Sequence, residues 1–304
     1  MRTRSAVTNV VFLLPQRLYL LDLAGPAEVY QAAIDQGLPY RLSYVADEPE
    51  IVTAEGLPIR VDTTWPELEP TDLVIVPGSQ LTGLAKVRAS RSSLDVLRRH
   101  HRRGGRVISV CAGAEILGRA GLLDGRRCTT HHDLRPELAR RYPAANVVDD
   151  VLFVVDGRVA TSAGIASGID LALHLIAQAH GPGAAARIAR TLVIFTRRNG
   201  EEKQTSVLLR HRHHVDDLVH RLQDLIEERF TERLRLVGMA RELGCSERTV
   251  TRHFHRATGM TPLRYQQLLR LEKAEHLISR GSTMEAAARA VGLTDGRALR
   301  ALRA

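Results

Sequence analysis

In the run GGRVISVCAGAEILG at 104–118, Cys111 closes an apolar stretch and Ala112-Gly113 open what reads as a helix. That placement resembles a nucleophile elbow, where a strand turns sharply into a helix and presents one side chain at the tip. A thiol there meets the positive end of a helix dipole, which favours thiolate, and nearby backbone N–H groups could hold an oxyanion. Asp22, expected in the loop after the first strand, and Gly78, closing the run VPGS, would share one sheet edge with Cys111 if the strands run parallel. Ligands of open α/β sheets bind at that edge. The bland alternative is that Cys111 is a small buried hydrophobe in a tight corner. The pair His131-His132 and the run HRHH at 211–214 suggest metal only weakly, because neither shows a cysteine or carboxylate at ligand spacing. HRHH reads instead as a solvated helix start, and no metal site is expected.

A second kind of chemistry is written in LRLVGMARELGCSERTVTRHFHR at 234–256. Leu236, Met239, Ala240 and Leu243 form one apolar stripe, Gly244 allows a tight turn, and Ser246 can cap the next helix. In that second helix Val250 and Phe254 share the buried face, leaving Arg248, Thr251, Arg252 and Arg256 to project elsewhere. This is a helix-turn-helix pattern, and arginine on such a helix can pair bidentately with guanine in the major groove. Arg248, Thr251 and Arg252 are the expected base-facing residues, and Arg256 a phosphate contact. An ordinary amphipathic hairpin with solvated arginines is the alternative. Met239-Ala240 with Leu243-Gly244 is echoed 48 residues later by Ala287-Ala288 with Val291-Gly292, where Thr294 or Asp295 replaces Ser246 as cap. Between the units, Thr261 and Pro262 open a connecting helix whose apolar side is Tyr265, Leu269, Ala274, Leu277 and Ile278. The last helix, DGRALRALRA, offers Arg297 and Arg300 as basic candidates. Its register is open, since either Ala298 with Leu302 or Leu299 could be buried.

Charge separates the two halves. Of 43 basic and 34 acidic side chains, residues 1–180 hold 20 of each, whereas residues 181–304 hold 23 basic and 14 acidic. A basic module carrying a helix-turn-helix attracts phosphate backbones. An acidic membrane surface is the rival, disfavoured because Glu242, Glu247 and Glu272 interrupt the polar faces and no long apolar span or lipidation signal accompanies them. Cys111, Cys128 and Cys245 are too few and scattered for a disulfide framework, and no secretory signal stands at the amino terminus, so cytoplasm is the expected compartment.

The elements that must position these residues follow from pattern. Apolar runs at 9–14, 40–46, 72–76 and 106–110 read as buried strands, and Asp156-Gly157 joins a hairpin of 147–155 with 159–162. DLAGP at 22–26 reads as a turn, with helices expected at 27–34, 91–103, 114–120, 167–180 and 184–194. The expected fold is α/β, a mainly parallel sheet covered by helices, followed by an all-α domain with two helix-turn-helix units, the second incomplete. The domains expected are 1–195, a linker at 196–214, and 215–304.

Beyond these patterns, four stretches resemble the DJ-1/PfpI superfamily: LDLAGPAEVY at 21–30, VIVPGS at 74–79, VISVCAGAEILGRAGLLDGRRCTTHH at 107–132 and TSAGIASGIDLALHLI at 161–176. The remainder resembles an AraC-type DNA-binding domain, and the combination is similar to the GlxA-like subgroup of AraC-family regulators. The resemblance implies a flavodoxin-like sensory or dimerising domain and two helix-turn-helix units reading adjacent major grooves. It places the elbow cysteine on Cys111, the acidic partner of the isocyanide-hydratase-like branch on Asp22, and the histidine of the TTH motif on His131. Protease-like members have histidine directly after the elbow, whereas this chain has Ala112, which argues against a Cys-His hydrolase. The reading is a sequence-specific transcription factor; the alternative is a cysteine-dependent hydrolase or hydratase fused to a DNA-targeting module. Expected partners are double-stranded promoter DNA, a small-molecule effector, a second copy in a homodimer and RNA polymerase, with no cofactor and no membrane.

Overall fold

Continuous apolar runs build the centre of a sheet, where strands such as Thr8–Leu13 and Leu73–Val76 show no alternation because both faces are covered. The computed structural model describes residues 7–80, 83–164, 166–194, 198, 200, 201, 204, 211, 212, 214–279 and 281–303. The chain divides into two compact units, 1–204 and 205–304. Most of the expected linker at 196–214 lies outside the described residues.

In the first unit β1 (Thr8–Leu13), α1 (Leu20–Asp35) and β2 (Tyr40–Val45) are followed by a small hairpin of β3 (Glu50–Val52) and β4 (Pro58–Arg60). Next come β5 (Leu73–Val76), α2 (Arg91–Arg102), β6 (Arg106–Val110) and α3 (Ala114–Arg119). The strands β7 (Arg127–Cys128) and β8 (Asn146–Val147) pair in parallel around α4 (Arg135–Arg141). The unit continues through β9 (Phe153–Asp156), β10 (Val159–Ser162), α5 (Ala166–His180) and α6 (Pro182–Thr191). The main sheet has the order β2-β1-β5-β6-β10-β9, parallel throughout except for the β9–β10 hairpin. All four residues of β5 are buried. Helix α1 packs on α5 and α6, while α2 packs on α3 and β6.

Two local readings are corrected. DLAGP is not a turn: α1 begins at Leu20 and runs through Gly25 and Pro26, so Asp22 lies in its first turn, fully buried, rather than in a loop. Packing overrides the breaker signal here. A Cβ on Gly25 would stand 2.9 Å from Ile169 Cγ1 of α5, and a Cβ on Gly168 would stand 3.3 Å from Pro26 Cγ, so small residues let the two helices approach closely. The strand expected over 147–155 is split between β8 and β9, which belong to different sheets.

The second unit is helical, with two small cores. Val219, Leu222, Met239, Ala240, Val250, Phe254 and Tyr265 belong to the first; Ala274, Ala287, Ala288, Val291 and Leu299 form the second. Helix Pro262–Ser279 contributes to both, with Leu277 and Ile278 half-buried against the second. The turns of the repeat use Gly244 at φ 69° and Gly292 at φ 75°, a left-handed conformation that favours glycine. Gly292 is doubly constrained, because a side chain there would collide with the Thr231 carbonyl. The structure settles the open register: Leu299 is buried, Ala298 and Leu302 are half-buried, and Asp295 rather than Thr294 caps the helix, accepting from the Arg297 and Ala298 N–H groups at 2.9 Å. HRHH does not begin a helix. The helix starts at Asp217, with Asp216 accepting from Val219 N at 3.3 Å; of the run itself, His213 lies outside the described residues.

Candidate functional site

At the carboxyl end of β6 the chain makes a single 3-10 turn, Cys111–Gly113, before α3. Cys111 adopts φ 54°, a strained conformation for a residue with a side chain and the backbone signature of an elbow. Gly113 lets this turn press against β5, since a Cβ there would overlap the Val76 carbonyl. Two more glycines close on the cysteine. A Cβ on Gly78 would lie 2.6 Å from Cys111 Cβ and would overlap the Asp22 carboxyl; one on Gly164, at φ 118°, would lie 2.9 Å from Cys111 Sγ. Cys111, Asp22 and Gly78 are therefore brought together as the sequence suggested, and Cys111 is only 5% exposed.

The electrostatics run opposite to the sequence expectation of a thiolate. Burial first, then the Asp22 carboxyl that hydrogen-bonds the sulfur, push the Cys111 thiol well above its usual range, against the opposing Ala112 N–H. The helix that follows is only six residues long, so its dipole is a small counterweight.

His131 is near in sequence to the elbow but not joined to it by its ring, whose contacts are with His132, 4.1 Å between centroids, and Asp133. Its Nδ1 accepts from Asp133 N at 3.4 Å, and burial lowers its pKa. Asp133 is the neighbouring carboxylate that the spacing argument passed over: His131, His132 and Asp133 bring donor atoms within 4.8 Å of one another, with two of the three side chains exposed. The preceding residue matters more to the elbow. Buried Thr130 donates from Oγ1 to the Cys111 carbonyl at 2.8 Å. Sequence reasoning missed it, although it stands in the TTH motif; Gly164, in TSAGIASG, was likewise visible only as part of a motif. A third omission is Glu115, fully buried, which accepts from Arg119 Nε at 3.1 Å and from Arg141 at 2.6 and 3.0 Å, fastening α4 beside α3. Its signal was a lone charge in the apolar run AGAEILG.

The second unit presents the other candidate surface. Ser246 caps helix Glu247–Thr258, accepting from Thr249 N at 3.2 Å. Val250 and Phe254 are fully buried, which fixes the helix's rotation. Arg248, Arg252 and Arg256 are exposed and Thr251 half-buried, so the expected base-facing residues share one outward arc. Arg256 lies 3.9 Å from Asp216 Oδ2, which also accepts from His253 Nδ1 at 2.9 Å. Burial would raise the Asp216 carboxyl, but the His253 bond and the Val219 N–H hold it below its usual range. Arg297 and Arg300 are exposed on helix Gly296–Arg303. Among the described residues no helix is long and apolar enough to cross a membrane.

Comparison with known proteins adds five findings. The model of the DJ-1/PfpI family matches residues 8–178 and that of a helix-turn-helix domain matches residues 239–302. The chain is 32% identical over 236 residues to the HTH-type transcriptional regulator CdhR of Pseudomonas aeruginosa, spanning 77% of this chain and 68% of that protein. It is 36% identical over 170 residues to isonitrile hydratase of Pseudomonas putida, 55% of this chain and 70% of that one. In fold, it matches the crystal structure of a THiJ/PfpI family protein from Pseudomonas syringae at 22% identity and TM-score 0.54, over 73% of this chain and 86% of that chain.

Proposed function

We infer how this protein works from the premise that the chain belongs to the DJ-1/PfpI family and, with its AraC-type helix-turn-helix domain, is a DNA-binding transcription factor. Helix Glu247–Thr258 enters the major groove of promoter DNA, with Arg248, Thr251 and Arg252 facing base edges and Arg256 on phosphate. Helix Gly296–Arg303 enters a neighbouring groove with Arg297 and Arg300. The DJ-1/PfpI unit joins two copies into a homodimer and senses a small-molecule effector at the Cys111 corner, and the output is regulation of RNA polymerase in the cytoplasm. The observation that carries this reading is the burial of Val250 and Phe254, which leaves Arg248 and Arg252 exposed on one arc. Arg252→Ala is expected to cost about 1–3 kcal/mol on the cognate site and to relax one base preference, measured by competition between cognate and scrambled duplexes. Equal losses on both would reduce Arg252 to a phosphate contact.

A second reading is favoured by one observation, the hydrogen-bonded contact of Asp22 with Cys111. Together with the likeness to isonitrile hydratase, it supports a hydratase activity on a small electrophile. Turnover of an isonitrile that vanishes in Cys111→Ala while DNA binding survives is the result this reading requires.

A further inference from the structure

The polypeptide leaves the first unit bonded to the residues that hold Cys111 in place. Gln204, the last residue of that unit, donates from its backbone to Asp150 Oδ1 at 3.2 Å and from Nε2 to the Thr130 carbonyl at 3.0 Å and Thr129 Oγ1 at 3.3 Å. Thr130 in turn donates to the Cys111 carbonyl at 2.8 Å. Two hydrogen bonds therefore join Gln204 to the elbow's backbone. Upstream, Arg198 clasps Asp170 of α5 with three bonds: backbone N to Oδ1 at 3.0 Å, and Nε and a terminal nitrogen to Oδ2 at 2.9 and 2.7 Å. Asp170 is 3% exposed, and α5 starts two residues after Gly164, which lies against the cysteine sulfur. Between these anchors, the Gly200 carbonyl accepts from Leu152 N at 2.8 Å and Phe153 N at 3.3 Å.

We propose that Arg198, Gly200 and Gln204 form a strap that reads the conformation of the Cys111 corner and transmits it to the DNA-binding unit, which begins at Thr205. The inference rests on the reading of that corner as the sensing element. Each anchor makes the strap resist gradual loosening. Withdrawal of Arg198 removes three bonds from the buried Asp170 carboxylate, and withdrawal of Gln204 removes the shorter of two donors to the Thr130 carbonyl, so release is opposed at both ends. Cys111, held at φ 54° between Gly78 and Gly164, has no slack in which a ligand or an enlarged side chain could be absorbed. Anything seated there displaces the Cys111 carbonyl or Gly164, and thereby Thr130 or α5, the two supports of the strap. Coupling of this kind is reciprocal: releasing the strap must also loosen the elbow.

Hydrogen exchange on the full chain tests the proposal, with Cys111→Asp inserting a larger, charged side chain at the corner. The Leu152, Phe153 and Gln204 amides, which the strap protects or makes, are expected to exchange roughly tenfold faster or more, with β1 unchanged as the folding control. Unchanged exchange at all three amides in the folded variant overturns the strap. Gln204→Ala and Arg198→Ala supply the reverse test without touching the corner: both are expected to raise the rate of maleimide labelling at Cys111 at least threefold, by roughly 0.65 kcal/mol of shifted opening equilibrium. Unchanged labelling in both variants also overturns it, and decides the matter if Cys111→Asp does not fold. Selection of specific DNA by the wild-type chain is scored separately, so loss of the regulator reading and loss of the strap are distinguishable.

Discussion

At the scale of single residues, burial and the Asp22 carboxyl set the state of the Cys111 thiol. Cys111, Asp22 and Gly78 meet because three parallel strands and one helix start bring their ends to one edge, and motif spacing is enough to anticipate that. What spacing does not reveal is that Cys111 is sealed, so burial and Asp22 together outweigh the adjacent N–H group. His131 shows the same gap: its place in the chain was clear, but its ring is turned toward His132 and Asp133 by a tight turn whose cap it provides. The expected outcome is that at pH 7.5 the native protein's Cys111 is alkylated more slowly than half-buried Cys245, and that Asp22→Asn accelerates it by removing a carboxylate that disfavours thiolate. Mass-spectrometric labelling rates for the three cysteines check this. A slower reaction in Asp22→Asn would mean instead that Asp22 donates a proton to the sulfur and stabilises its anion. Gly164→Ala belongs to the same scale: positive φ and overlap with Cys111 are together expected to cost about 2–4 kcal/mol in chemical denaturation, against near-neutrality if the corner can open.

At the scale of elements, long apolar runs were the dependable signal. The strands β1, β2, β5 and β6 and the helices α2, α5 and Glu247–Thr258 follow from periodicity, as does the repeated turn at Gly244 and Gly292. Four elements escaped for identifiable reasons. The start of α1 carries Gly25-Pro26, whose local preference is overruled by close packing on α5. The strands β3 and β4 are three residues each, with Ile51 the one fully buried side chain between them, too short for a period to register. Helix α4 buries only Leu138 and is held instead by the Arg141 ion pair with Glu115. One helix also sets a pH response. His100 and His101 of α2 are buried, and His100 Nε2 donates to the Asp72 carbonyl at 3.1 Å. Burial lowers both pKa values, with Arg126 and Arg158 adding repulsion at His101. In the unfolded chain they titrate near 6.5, so the folded state binds fewer protons below that pH. Stability contributed by the neutral rings is complete above about pH 6.5 and lost as pH falls through the lower folded-state values. Denaturant midpoints of the first unit are expected to fall from pH 7 to pH 5, and His100→Gln, which keeps a donor, to flatten that slope; an unchanged slope would assign the acid response elsewhere.

At the scale of the whole molecule, positive charge is concentrated in the helical unit, where residues 205–304 hold 18 basic and 12 acidic side chains against 25 and 22 in residues 1–204. On the proposed reading, paired half-sites call for two copies of the reader, joined through the α/β unit. Sedimentation of residues 1–204 at micromolar concentration is expected to give a dimer, and a monomer throughout that range would move dimerisation out of this unit. Selection of promoter sequence is proposed to reside in the carboxy-terminal unit. Enrichment of genomic fragments by the purified full chain, followed by the same selection with residues 1–204 alone, tests it most directly. The predicted result is one recurrent motif whose recognised segments lie about one helical turn, roughly 10 base pairs, apart, enriched by the full chain, abolished in the fragment and degraded at one position by Arg252→Ala. Enrichment of the same motif by residues 1–204, or no motif with the full chain, would contradict the claim.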